Sequence, residues 1–342
     1  MKLPILYAQM TDRQSVDLTL SVNPLGCSPL VLDKLRKIGA KEVSIYPLPD
    51  KLLTKLAIRF GVQKDNILLG SGSEQLIKLI AQSFIQPGDP VFIERGSFSL
   101  FVKESLLAKG KISLTTLSRI MKSDAKLIFL ANPKTPTGEV IPQEVIKQIQ
   151  KRTTGILVVD EANGEFIDDS SIRLSVNNSN LLVLRTFSKA FGLAGLRIGL
   201  AIGSKELVGQ LKQVQQAFPV SQIAILLAQA ALKDMEFIER TRRLITRERI
   251  FLQTELKKRG LGVSNSVTNN LFVSFPKANT LIEQLSRQGV SVINGSFFPG
   301  MKTPGFRISL KDRQTNQLFL KKLDKALGCL ESKKLLRSKE EL

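Results

Sequence analysis

The stretch RTFSKAFGLAGLRIG (185–199) sets Lys189 between a serine and an alanine, and follows it with Gly192, Gly195 and Arg197. Glycines at such places let a backbone fold tightly and approach a ligand closely. A lysine and an arginine brought into one small volume suit an anion, or an anion joined to an electrophilic carbon that the amine can attack. GSGSEQ (70–75), between a short apolar run and an amphipathic one, offers a second anion-binding element. Backbone N–H groups at a helix start face outward there, with the helix dipole behind them. A plain tight connection is the other reading of such a turn. Thr186, Ser188 and Arg197 would add hydroxyls and a charge to the same place.

Asp160 ends the apolar run ILVV (156–159). A carboxylate at a buried strand end is costly unless paired. It is read either as a cap or salt bridge, or as the partner of a protonated ring nitrogen. A lysine able to form a Schiff base, a phosphate cradle and an aspartate for a pyridinium together describe the needs of one cofactor, pyridoxal phosphate. Lys189 is then the nucleophile, its amine made usable by partial burial and neighbouring positive charge.

Composition narrows the alternatives. The 342 residues include no histidine and no tryptophan. Without imidazole there is no Ser-His-Asp triad, no histidine-based metal site and no imidazole base. No metal site is expected, since no EF-hand or two-metal pattern is present. Two cysteines, Cys27 and Cys329, make no disulfide framework, which fits a reducing, cytoplasmic setting. The opening MKLPILYAQMTDRQ lacks the pattern of a leader, and no apolar run is long enough to span a bilayer. A net charge of +20 raises nucleic acid as a partner. The basic residues alternate with acidic ones, however, densest in the amphipathic IERTRRLITRER (238–249), so no nucleic-acid partner is expected.

The elements that must position these residues are legible as punctuated runs. LVLDKLRKIG (30–39) and DKLLTKLAIRFG (50–61) read as helices stopped at glycine. PVFIE (90–94), KLIFLAN (126–132), GILVVDEA (155–162), NLLVLRT (180–186) and RIGLAIG (197–203) are continuous apolar runs. Such runs predict strands buried on both faces, hence an α/β fold with a mostly parallel sheet covered by helices. The polar candidates Asn132, Asp160, Thr186, Ser188 and Lys189 fall at strand ends, where open α/β sheets bind ligands. After FPVSQIAILLAQAALKD (218–234), the runs NLFVSF (270–275), VSVI (290–293) and FRISL (306–310) predict a smaller α+β unit. The closing ESKKLLRSKEEL reads as a charged helical end.

The chain resembles the fold-type I pyridoxal-phosphate aminotransferases (class I/II), and among them the histidinol-phosphate aminotransferase branch. The resemblance is carried, in family order, by NPLGCSP (23–29), YPLPD (46–50), LLGSGSEQL (68–76), NPKTPTG (132–138), VVDEA (158–162), TFSKAFGLAGLRIG (186–199) and FRISL (306–310). It implies a large domain, 28–239, and a discontinuous small one, 1–27 with 240–342. It implies that Lys189 holds the cofactor covalently and moves a proton at the substrate Cα, and that Asp160 keeps the ring nitrogen protonated. Ser73 and Glu74 match the phosphate-binding helix start, with Thr186, Ser188 and Arg197. Phe98 matches the aromatic that stacks on the ring. Tyr46 matches a tyrosine that reaches into the neighbouring subunit's site, which implies a homodimer. Arg307 matches the arginine for the substrate carboxylate, and Asn23 lies on a stretch bordering the substrate.

Three positions depart from the family pattern. Thr135 stands where the family has asparagine and Asn163 where it has tyrosine, both contacts to the cofactor's phenolic oxygen. Ile293 stands where histidinol-phosphate enzymes carry an arginine for the substrate phosphate. Amino transfer from histidinol phosphate, or from an aromatic or neutral amino acid, to a 2-oxo acid such as 2-oxoglutarate is therefore expected. A threonine-phosphate-type decarboxylase and a weakly catalytic or non-catalytic relative are the alternatives.

Overall fold

The structure, a computed structural model, describes residues 15–121 and 124–340, the side chains of 331–340 excepted. The opening MKLPILYAQMTDRQ and the side chains of the closing ESKKLLRSKEEL lie outside the described residues. The strands are β1 (Val16–Asp17), β2 (Ile67–Gly70), β3 (Pro90–Glu94), β4 (Lys111–Thr115), β5 (Leu127–Ala131), β6 (Ile156–Asp160), β7 (Leu181–Thr186), β8 (Gly199–Ile202), β9 (Gly262–Val263), β10 (Asn270–Ser274), β11 (Val290–Ser291), β12 (Ile293–Asn294) and β13 (Gly305–Ser309).

Seven of them form the central sheet in the order β2-β8-β7-β6-β5-β3-β4. All pairings are parallel except those of β8, which runs against both neighbours. The continuous apolar runs have the expected cause. Successive side chains of a strand point to opposite faces. Ile128, Leu130, Leu157, Val159, Leu181 and Val183 enter one apolar cluster, while Leu127, Phe129, Val158, Leu182 and Leu184 enter another on the other face. Helices cover both, so neither face can carry polar residues, and the fold is α/β. Strand β4 escaped the apolar-run reading because it is the edge: only Thr115 of its five residues is buried.

A third apolar cluster joins Val16 and Leu18 to residues between Ile245 and Ala326. It surrounds an antiparallel sheet, β12-β13-β10-β9, and the short parallel pair β1-β11. VSVI does not form the one strand expected of it. Val290 and Ser291 pair with β1, whereas Ile293 and Asn294 pair with β13, so the run is divided between two sheets at Val292.

The long basic stretch is a single helix, Met235–Lys258, capped by the Asp234 carboxylate on the Phe237 N–H at 3.1 Å. The helix expected over 30–39 ends at Arg36 instead. Its glycine is used otherwise: the Gly39 N–H donates to Glu42 Oε2 at 3.0 Å and starts a separate turn, Ala40–Ser44. The second helix, Asp50–Phe60, does stop at glycine, with Gly61 at φ +64° in the left-handed region where a side chain is disfavoured.

Candidate active site

Strand register brings the candidates to one end of the sheet. Asp160 pairs with Ala131 and Leu184, and Gly199 lies opposite both Gly70 and Thr186. Because β8 is reversed, its first residues fall beside the last residues of β2 and β7. Arg197, just before β8, thus returns to the end of the sheet where Lys189 leaves it.

The helix Gly72–Phe84 begins directly after β2. Two glycines shape its start. Gly72 has φ +75°, and a Cβ there would lie 2.8 Å from Arg197 Nη2. A Cβ at Gly199 would lie 2.8 Å from both the Gly72 carbonyl carbon and the Ser73 nitrogen. The helix start, the Ser73 amide and the Arg197 guanidinium therefore share a space that any larger residue would fill. Arg197 meets Glu74 at 3.6 Å across solvent, an exposed pairing that leaves the guanidinium accessible. Thr186 is placed differently from a simple phosphate hydroxyl. Its Oγ1 accepts from the Ser188 N–H at 3.1 Å and lies 3.2 Å from the Ile198 carbonyl and 2.9 Å from Ser188 Oγ. It shapes the turn and orients Ser188.

Lys189 is half-buried. Burial chiefly, then the charges of Arg307 and Arg197, lower its pKa to about 8 against the pull of Asp160. That raises the free-amine fraction near neutral pH by roughly two orders of magnitude over an ordinary lysine. Asp160 is pushed up to about 6 by burial, opposed by a hydrogen bond from the Ala162 N–H at 3.0 Å and by Lys189. At neutral pH it remains mostly ionised, a buried anion lacking a full counter-charge. Arg307 is buried on β13, its guanidinium 5.8 Å from the Phe298 ring and donating to the Thr19 carbonyl. Ile293 lies opposite it in the strand register and is fully buried, so that neighbour presents hydrocarbon and not a cation.

Asn163 is buried, and its Oδ1 has no hydrogen-bond partner among the described residues. Thr135 is half-buried in the loop after β5, which is tied down where Asn270 Nδ2 donates to the Pro136 carbonyl at 2.7 Å. Phe98 caps the helix Ser99–Leu107 and meets Phe101 edge-on at 5.8 Å. Tyr46 is exposed and stacks on Phe218 at 4.7 Å, with no described contact to the lysine cluster of its own chain. Asn23 is fully engaged: its amide nitrogen donates to the Ala190 carbonyl at 2.8 Å and Thr241 Oγ1 at 2.9 Å, and its oxygen accepts from the Leu25 N–H. It fastens the N-terminal stretch to the lysine turn and the long helix, leaving little of the amide for a substrate.

Sequence reading missed the support beneath the site. Arg185, fully inside, pairs with Glu161 at 3.0 Å and with Glu165, and Glu165 also pairs with Arg59 at 2.6 Å. Burial alone would raise Glu165, but the two guanidinium groups hold it below its ordinary value. The backbone from Asp160 to Asn163 is thereby fixed at Glu161. The signal was present in Glu161 and Arg185, charged residues directly adjoining Asp160 and Thr186.

The donors present fit pyridoxal phosphate. A glycine-lined helix start with Ser73, Ser188 and Arg197 suits a phosphate, Lys189 an aldehyde, Asp160 a protonated ring nitrogen, and the amide of Asn163 is at hand for a polar ring substituent. Fold and site define a pyridoxal-phosphate-dependent enzyme of fold type I. The chain belongs to the aminotransferase class I and II family, whose pattern it matches over residues 14–323. It is 31% identical to histidinol-phosphate aminotransferase 2 of Nitrosospira multiformis, the alignment covering 94% of this chain and 86% of that one. It is 34% identical to histidinol-phosphate aminotransferase of Thermoanaerobacter pseudethanolicus, covering 85% and 86%. In structure it is similar to histidinol-phosphate aminotransferase from Sinorhizobium meliloti in complex with pyridoxal-5'-phosphate, with a TM-score of 0.86 at 25% identity over 93% of this chain and 92% of that one.

Proposed function

We propose that this aminotransferase moves the amino group of an amino acid to a 2-oxo acid, with L-glutamate and 2-oxoglutarate as the first pair and histidinol phosphate or an aromatic or neutral amino acid as the other donor. The observation that supports this best is the Lys189 amine at the carboxyl end of the sheet, lowered to about 8 by burial and by the charge of Arg307 against the pull of Asp160. When bound, the cofactor supplies an electron sink for charge developing beside the substrate nitrogen. Lys189 would hold it covalently and carry the proton to and from the substrate Cα, and its lowered pKa suits both tasks near neutrality. Asp160 would hold the proton on the ring nitrogen. Ser73, Ser188 and Arg197 would hold the phosphate, and Phe98 would face the ring. Arg307, with its planar fork, suits a carboxylate. Asn163 would donate its amide to the phenolic oxygen, a task shared with Thr135 at most through its hydroxyl.

The same reading divides the chain into a domain of 28–239 and a second of 1–27 with 240–342. It also makes the protein a homodimer. The exposed Val43, Tyr46, Leu48 and Phe218 form apolar surface that a second copy would cover, bringing Tyr46 towards the partner's site.

The test is an absorbance titration of the cofactor-loaded protein with L-glutamate. The visible band of the lysine-bound cofactor is expected to bleach and to return with 2-oxoglutarate. Carbon dioxide release without an oxo-acid acceptor would instead assign decarboxylation, and a band unmoved by every donor would refute amino transfer.

A further inference from the structure

Lys189 lies between two anchored neighbours. On the strand side, the Ser188 N–H donates to Thr186 Oγ1 at 3.1 Å, which fixes residue 188 to the end of β7. On the other side, the Ala190 carbonyl accepts from Asn23 Nδ2 at 2.8 Å, across 167 positions of chain. Both residues are buried, so removing the donor leaves the carbonyl unsatisfied. The Gly192 N–H donates back to the Lys189 carbonyl at 3.0 Å and closes residues 189–192 into one turn. A displaced Ala190 therefore carries Lys189 with it.

The stretch that brings this amide is itself held at several points. Asn23 Nδ2 also donates to Thr241 Oγ1 at 2.9 Å, so both amide hydrogens are used, and its Oδ1 accepts from the Leu25 N–H at 2.9 Å. A Cβ on Gly192 would lie 1.8 Å from the Gly26 carbonyl oxygen, so only glycine lets the two backbones meet there. Earlier in the stretch, the Ser309 N–H donates to the Leu18 carbonyl at 2.9 Å, and Arg307 donates to the Thr19 carbonyl. Residues 18–26 thus run from β13 to the lysine turn with hydrogen bonds at both ends.

We propose that Asn23 is a positioning residue for Lys189: by holding the Ala190 carbonyl, its amide sets where the lysine amine stands relative to the phosphate cradle. This rests on the reading of Lys189 as the amine that holds the cofactor. The cradle does not depend on the same bond. Ser73 and Arg197 are set by the glycines at the start of the helix Gly72–Phe84, and Ser188 by Thr186. Losing the Asn23 amide therefore loosens the amine and leaves the phosphate site intact. Condensation of the amine with the aldehyde forms one C=N bond and releases water. A reacting group misplaced by about 1 Å can cost about a hundredfold.

The experiment compares two probes by equilibrium dialysis against the full chain freed of cofactor. Pyridoxal phosphate carries the aldehyde, whereas the alcohol of pyridoxine phosphate cannot condense with an amine. Their affinity ratio reads Lys189 and needs no turnover, so its failure is distinct from a failure of amino transfer, which the absorbance titration reads. Asn23→Ser keeps a hydroxyl for the Leu25 N–H but is too short to reach Ala190. It is expected to weaken pyridoxal phosphate by about tenfold or more, and pyridoxine phosphate by less than about twofold. Thr241→Val removes the other partner of the same amide and is expected to leave both affinities within about twofold of wild type. If melting curves show that Asn23→Ser is unfolded, Asn23→Asp takes its place, since it keeps the volume and the oxygen on Leu25 while its carboxylate offers Ala190 no donor. An unchanged ratio in the folded Asn23 variant overturns the proposal, and so does an equal loss of both probes, which would make Asn23 a contact of the fold alone. A ratio that falls as far in Thr241→Val also overturns it, by placing the effect in the anchoring to the long helix. A wild type that holds both probes equally refutes the role of Lys189, and the proposal with it.

Discussion

Replacing Asp160 by asparagine is expected to stabilise the cofactor-free protein while weakening its hold on the cofactor. The buried carboxyl is raised from an ordinary 3.8 to about 6. A raised carboxyl pKa means that the folded state disfavours the ionised form. Its cost is complete above the folded value, shrinks as the pH falls, and is absent below the unfolded one. At pH 7.5 the shift corresponds to roughly 3 kcal/mol, and at pH 4.5 to roughly 1 kcal/mol. Asparagine keeps the oxygen that accepts from Ala162 and removes the charge. Cofactor-free Asp160→Asn should therefore melt about 5 °C above the wild type at pH 7.5, with a smaller gain at pH 4.5. Adding pyridoxal phosphate should raise the melting temperature of the wild type more than that of the variant. Thermal denaturation with and without cofactor at both pH values is the assay. A variant that melts at or below wild type at pH 7.5 without cofactor would show that Asp160 is not a strained anion, and the assignment of its partner would fall with it.

Other outcomes follow from the same geometry. Asn163→Ala removes a donor expected to favour the deprotonated form, so the visible band of the lysine-bound cofactor should titrate about one unit higher; an unchanged midpoint counts against the contact. Gly199→Ala places a Cβ against the backbone of Gly72 and Ser73, and should weaken pyridoxal phosphate binding by at least about tenfold in equilibrium dialysis, whereas affinity within twofold of wild type would move the phosphate site elsewhere. Arg185→Met leaves Glu161 and Glu165 buried beside too little positive charge, and should cost about 3–5 kcal/mol in urea unfolding. A loss under about 1 kcal/mol would mean the carboxylates find other partners.

The central sheet was legible because its physics is local. Burial on both faces forces uninterrupted apolar runs, and the residues ending those runs are the ones at the ligand end. The glycine turn of GSGSEQ pointed to the cradle for a similar reason, since a side chain at Gly72 has no room, whereas Gly192 is needed against the Gly26 carbonyl, a Cβ on Gly195 would meet nothing within 4 Å, and Gly199 was not foreseen. What stayed hidden depends on pairings distant in the chain. Arg59 and Glu165 are 106 positions apart, and Asn23 and Thr241 are 218 apart. No pattern within either stretch announces its partner. The division of VSVI between two sheets is set by which strands arrive beside it.

The reversal of β8 has a consequence for the order in which the site comes into being on a growing chain. Lys189 and Arg197 both lie on the connection 187–198 between β7 and β8, so they are brought together within one antiparallel strand pair, and its closure entropy grows only slowly with length. By residue 202, Ser73, Phe98, Asp160, Asn163, Lys189 and Arg197 have all been synthesised. Arg307 has not. The part that would hold the cofactor is complete in sequence before any residue of the carboxylate grip exists. Arg307, the residue that would take the substrate carboxylate, is contributed last, by the C-terminal third.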